Sequence, residues 1–110
     1  MPLYMYQGAY TAESWAAQLK HPENRAEKIG KAASEAVGGK LIGSYYCFGD
    51  YDLMLIVDVP NHEAMTAIAL AIMAGGAVKS AQTTILMSGA EAVAGMKKSA
   101  DVAKIYKPAK

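Results

Sequence analysis

The hydrophobic rhythm of the chain changes several times along its length. Leu3–Tyr10 is rich in aromatic side chains and predicts a strand. From Thr11 the pattern turns helical, with Glu13 in the first turn and Trp15 and Leu19 four residues apart on one face. Pro22 interrupts it. Proline is tolerated at the first helical position and not in the interior, which predicts a short helix to about Lys20 and a main helix from Pro22. The main helix sets Ala26, Ile29, Ala33 and Val37 on one stripe and stops at Gly38-Gly39, where a left-handed cap costs least.

Two strands follow, Lys40–Phe48 and Asp52–Val59, joined through Gly49-Asp50-Tyr51, a tight turn with its glycine at the first bend. Leu53-Met54-Leu55-Ile56-Val57 is apolar on both faces, the mark of a strand covered on both sides. Pro60 ends it, and Asn61 caps a helix carrying Met65, Ile68, Ala69, Ile72 and Met73, which stops at Gly75-Gly76. Val78–Met87 reads as a more polar, Thr-rich edge strand. Ser88 and Glu91 form a capping-box pattern for a last helix through about Ala103, and Lys107–Lys110 reads as a frayed tail.

The predicted order is β-α-β-β-α-β plus an extra C-terminal helix: a single α+β domain of the ferredoxin-like kind, with its core in residues 3–88 and an appended helix and basic tail in 89–110. Two helices on one face of a four-stranded antiparallel sheet leave the other face bare. In the second strand that face is apolar in either register, since Leu41, Tyr45 and Cys47 alternate with Ile42, Tyr46 and Phe48. Composition points the same way. Of the 110 residues 53% are hydrophobic and only 19% charged, so apolar surface is left over for a subunit interface. The expected partner is a second copy, as a homodimer or a higher homo-oligomer.

The run Phe48-Gly49-Asp50-Tyr51-Asp52-Leu53, preceded by Gly38-Gly39-Lys40 and followed by Val57-Asp58-Val59-Pro60, resembles the GYD-domain family of small bacterial proteins, whose name motif maps onto Gly49, Tyr51 and Asp52. The resemblance runs from Leu3 to about Met87 and implies the dimeric α/β-barrel fold, in which two four-stranded sheets close face to face. It lends no activity. Gly49–Met87 is also similar to the effector-binding domain of Lrp/AsnC-type regulators, through its Gly-x-Tyr-Asp turn and the entry Gly76-Ala77-Val78. Those domains bind amino acids between subunits. No helix-turn-helix precedes the domain in this sequence, so DNA binding does not carry over.

Candidate chemistry is sparse. Six of the seven tyrosines (Tyr4, Tyr6, Tyr10, Tyr45, Tyr46 and Tyr51) fall on predicted strands or the hairpin, where they either pack or line a semi-polar pocket. Tyr6 and Tyr45 are the first choices for a cavity. Tyr51 and Asp52 either shape the turn with Gly49 or face a ligand cleft at the subunit boundary. His62 and His21 begin helices; a lone histidine near a cleft could serve as a base, although exposed helix starts explain both. Cys47 suits a small buried hydrophobe, and one cysteine excludes an intrachain disulfide. No spacing of His, Cys, Asp and Glu predicts a metal site, no serine or threonine has a paired base, and neither Gly-Gly pair opens a helix as a phosphate cradle does. No cofactor is expected.

A net charge of +1 and pI near 7.8 argue against a nucleic-acid partner, since the one basic concentration, Lys97, Lys98, Lys104, Lys107 and Lys110, suits a solvated face and tail. No apolar run approaches bilayer length and the first residues lack a signal-peptide pattern, so a cytoplasmic location and no membrane partner are expected. Three functions stay open. One is a module binding a small organic ligand in a pocket between subunits, another is a cofactor-independent monooxygenase or isomerase, and the third is a structural assembly subunit.

Overall fold

The computed structural model describes residues 2–109; Met1 and Lys110, the latter the end of the expected basic tail, lie outside that range. The elements are β1 (Leu3–Tyr10), α1 (Ala12–Lys20), α2 (Arg25–Ala36), β2 (Lys40–Tyr46), β3 (Leu53–Asp58), α3 (His62–Ala74), β4 (Val78–Leu86) and α4 (Gly89–Ala103). Four antiparallel strands form one sheet in the order β2-β3-β1-β4, so the fold is ferredoxin-like α+β with an added C-terminal helix.

Side chains set the helix starts. Thr11, Asn24, Asn61 and Ser88 each accept a backbone N–H from the first turn, satisfying one of the donors that a helix leaves unpaired. Ser88 and Glu91 bond reciprocally, the capping box read from the sequence. Asn24 also explains a correction. The main helix begins at Arg25 rather than Pro22, because the Asn24 side chain caps Glu27 N at 3.2 Å while Pro22 stays in the linker. Trp15 is half-buried, but Leu19 is 73% exposed, because α1 packs only lightly on β1. The expected tight turn is longer too. β2 ends at Tyr46, which pairs with Leu53, and Cys47 N donates to Asp52 O at 2.8 Å, leaving Phe48 outside the strand and 95% exposed.

Residues opposed across strands share a face. Tyr4 faces Val57 and Tyr6 faces Leu55, and all four are buried under the helices. The alternate residues Met5, Met54 and Ile56, with Tyr45 opposite Met54 on β2, form the other face, which no element of the chain covers. A bulge between Leu41 and Gly43 resets β2 so that Leu41, Ser44 and Tyr46 turn toward the helices. The core is thus one-sided: Tyr4, Tyr6, Tyr10, Leu53, Leu55, Val57, Val59, Met65, Ile68 and Val78 with Ala26. No residue of α4 is buried. The radius of gyration is 17.4 Å, against about 13 Å for a compact domain of this length. Among the described residues no helix is long and apolar enough to cross a membrane.

Candidate functional site

On the covered face α2 and α3 stand apart, with few contacts between them. The space they leave over β1 and β3 is a cavity of about 530 Å³, within the range that accepts small organic molecules. The cause is legible in the side chains. Ala26, Ala32, Ala33 and Ala36 of α2 face Ala67 and Ala71 of α3, so methyl groups stand where larger residues would close the gap. Ile29, Val37, Ile68 and Ile72 complete the walls, Leu53 and Leu55 the floor. Only Tyr6, Tyr10 and Arg25 bring polar side chains to the lining.

Tyr6 sits at the middle of β1, 1% exposed, and its hydroxyl finds no partner among the described residues. Native proteins rarely leave such a group unpaired, since the omission costs about 1–3 kcal/mol. Burial pushes the Tyr6 phenol above its ordinary pKa. Tyr10 is pushed up to about 12, by burial first and then by the nearby Tyr46 phenol, with the Arg25 guanidinium pulling the other way. At neutral pH both phenols are therefore protonated. They can donate a hydrogen bond and cannot act as bases. Among the described residues Arg25 forms no ion pair; the pairs there join Lys28 to Glu23 and Lys104 to Asp101.

The residues singled out from the sequence do not converge. Tyr6 lines the cavity. Tyr45 lies on the opposite sheet face, 59% exposed. His62 opens α3, and its Nδ1 is hydrogen-bonded to the buried Tyr4 hydroxyl, with the rings edge to face at 5.7 Å. Tyr51 and Asp52 belong to the β2–β3 connection. Cys47 is half-buried and its thiol donates to Tyr51 O at 3.2 Å. Among the described residues no three His, Cys, Asp or Glu side chains gather as metal ligands do. Tyr10, one of the six strand tyrosines but not among the first choices, lines the cavity as well, and Arg25 had no expected role. The missed signal was a second helical track, Arg25, Ile29, Ala32 and Ala36, beside the stripe it did find.

A family model described as the GYD domain matches residues 4–96. The chain belongs to the GYD-domain family. No curated protein matches it. Among solved structures it is similar to MtbAldR, with 11% identity over 79% of this chain and a TM-score of 0.55. The match takes in 52% of MtbAldR, so this chain spans about half that protein's length. It is also similar to TTHA0845 from Thermus thermophilus, with 18% identity, 81% of this chain, 96% of that one and a TM-score of 0.53. An AsnC family transcriptional regulator from Agrobacterium tumefaciens matches with 17% identity over 79% of this chain and 51% of that one, at a TM-score of 0.46. At such identities the likeness to MtbAldR and TTHA0845 shows the fold alone.

In this GYD domain the name motif forms a clamp. Asp52 Oδ2 accepts from Tyr10 N at 2.8 Å and from Trp15 Nε1 at 3.2 Å, while Asp52 N donates to Gly8 O at 2.8 Å. One carboxylate thus ties the hairpin to the end of β1 and to α1. The carboxylate reaches beyond the turn to the neighbouring strand. Tyr51 donates to Gln82 Oε1 on β4 at 3.0 Å. Gly49 adopts φ +153°, which side chains rarely permit. The GYD clamp holds the backbone of Tyr10, and Tyr10 forms one wall of the cavity.

Proposed function

We propose that this GYD-domain chain is a binding module for a small, mostly apolar organic molecule, held between α2 and α3. The observation that carries the reading is the Tyr6 hydroxyl: buried, unpaired, and borne by a residue of the cavity wall. A ligand would fill space that packing leaves open, and one bringing a hydrogen-bonding atom would satisfy the hydroxyl once the wall that now closes over it gives way. The sequence pointed to a pocket between subunits. The cavity lies within one chain, on the sheet face turned away from the uncovered one.

That uncovered face remains part of the proposal. Met5, Met54, Ile56 and Tyr45 form the apolar part of a surface that Gln7, Gln82 and Thr84 share, and a second copy of the sheet is the complementary cover, giving a homodimer. The reading places the module in the cytoplasm, where a free thiol such as Cys47 is stable. A cofactor-independent enzyme has less support. Among the described residues no histidine or carboxylate lines the cavity, and both phenols are held protonated. A purely structural subunit has no use for the open space.

The test is a thermal-shift panel of amino acids, aromatic acids and small neutral aromatics, followed by amide chemical-shift mapping of any hit. Binding should move resonances of α2, α3 and β1 and should vanish in Ala33→Phe, which fills the cavity. A flat response across the panel, or hits that ignore Ala33→Phe, would sink the reading.

A further inference from the structure

The polar end of the cavity says more about what fits it. Arg25 lines both the apolar cavity and the shallower, more polar depression beside it, so it stands at the mouth between them. Three nearby acidic groups are engaged elsewhere. Glu23 pairs with Lys28 at 3.8 Å, Glu27 Oε2 accepts from Asn24 Nδ2 at 3.0 Å, and Asp52 Oδ2 holds Tyr10 N and Trp15 Nε1. Glu13, in the depression, is not ion-paired with Arg25. At the end of α3, where Gly75 lines both spaces with Arg25, the carbonyls of Ala71, Ile72 and Met73 accept from Gly75 N and Gly76 N. Arg25 is also the first residue of α2, where the helix dipole adds positive charge of its own. An unpaired guanidinium on a positive helix end, at the rim of an apolar space, suits an anion.

Resting on the binding reading above, we infer that the ligand is an organic monocarboxylic acid with an apolar body, its carboxylate on Arg25 and its body between the alanine faces of α2 and α3. A guanidinium meets a carboxylate through two parallel N–H donors, which fixes orientation as well as charge. The rest of the lining is aliphatic apart from the two phenols, so the body is aliphatic or aromatic and at most once polar, where it reaches Tyr6. Among the described residues no carboxylate lines the cavity to receive an ammonium group. Free amino acids are therefore poorer ligands than acids lacking the amine.

Trp15, the one tryptophan, stacks edge to face on Tyr10 at 5.2 Å and reports on this end of the cavity by fluorescence. The experiment titrates the full chain with phenylacetate, 4-phenylbutyrate and octanoate, with the primary amide of each, and with phenylalanine. Each acid should bind at least about tenfold tighter than its amide, the scale of one charge-assisted contact. Arg25→Gln should erase that difference by weakening the acids at least about tenfold more than the amides, and Arg25→Lys should restore only part of it. Phenylalanine should bind more weakly than 4-phenylbutyrate. If acids and amides bind alike and Ala33→Phe removes both, the cavity reading stands and the carboxylate assignment falls. Preference for phenylalanine overturns the assignment too. If no probe binds, or Ala33→Phe changes nothing, both readings fall together.

Discussion

Tyr4 and Tyr6 offer a matched experiment. They are two residues apart on β1, face the same way and are each 1% exposed. Tyr4 is hydrogen-bonded to His62, whereas the Tyr6 hydroxyl has no partner among the described residues. Removing each hydroxyl with phenylalanine should therefore act in opposite directions. Tyr4→Phe loses one net hydrogen bond, about 0.5–1.5 kcal/mol, with the exposed His62 free to bond water instead. Tyr6→Phe removes an unsatisfied buried group whose burden is about 1–3 kcal/mol, less the small void left by the missing oxygen, for a net gain of about 1 kcal/mol. The two variants should differ by about 2 kcal/mol, which for a domain of this size is roughly 8 °C in unfolding temperature. Urea unfolding followed by Trp15 fluorescence, at one protein concentration and without ligand, measures the difference directly. If Tyr6→Phe costs as much stability as Tyr4→Phe, the Tyr6 hydroxyl has a partner inside the fold and the binding proposal loses its main support. The combination expected under that proposal is unusual: Tyr6→Phe stabilises the free protein and weakens its ligand.

Asp52→Ala should be far more damaging than the conservative Asp52→Asn, because it strands the Tyr10 N–H and the Trp15 indole at once; about 2–4 kcal/mol is expected by chemical denaturation, and a loss under about 1 kcal/mol would contradict the clamp. Alkaline unfolding tests the phenols. With the folded Tyr10 pKa near 12 and an unfolded value near 10, the folded state holds the proton more tightly. Stability should then be intact below pH 10 and fall between pH 10 and 12 by on the order of 2 kcal/mol, with Tyr6 acting in the same sense. Tyr10→Phe should flatten the fall, and a wild-type profile level to pH 12 would refute the assignment. Ile56→Lys, on the uncovered face, should turn a concentration-dependent dimer into a monomer in sedimentation velocity; an unchanged dimer would place the interface elsewhere.

Much of the architecture is local chemistry and was readable as such. Polar caps at Thr11, Asn61 and Ser88, the stop at Gly38 with its φ of +82°, and the apolar run of β3 each act within a few residues, so the string of letters determines the elements and their order. Errors stayed local as well: Pro22 and Asn24 competed to start α2, and the nearer cap to the apolar stripe prevailed. The candidate site is different in kind. Nothing in the neighbourhood of Tyr4 or Tyr6 tells one from the other; His62, 58 positions from Tyr4, reaches the first hydroxyl and nothing reaches the second. Asp52 likewise finds its partners on β1 and α1, far back in the chain. The cavity follows from how far apart two alanine-faced helices come to rest on a shared sheet, and Arg25 gains meaning only at its mouth. Short-range hydrogen bonds and periodicity write the elements into the sequence, whereas the spacing of elements is a balance of packing over the whole fold, and that balance is settled only in three dimensions.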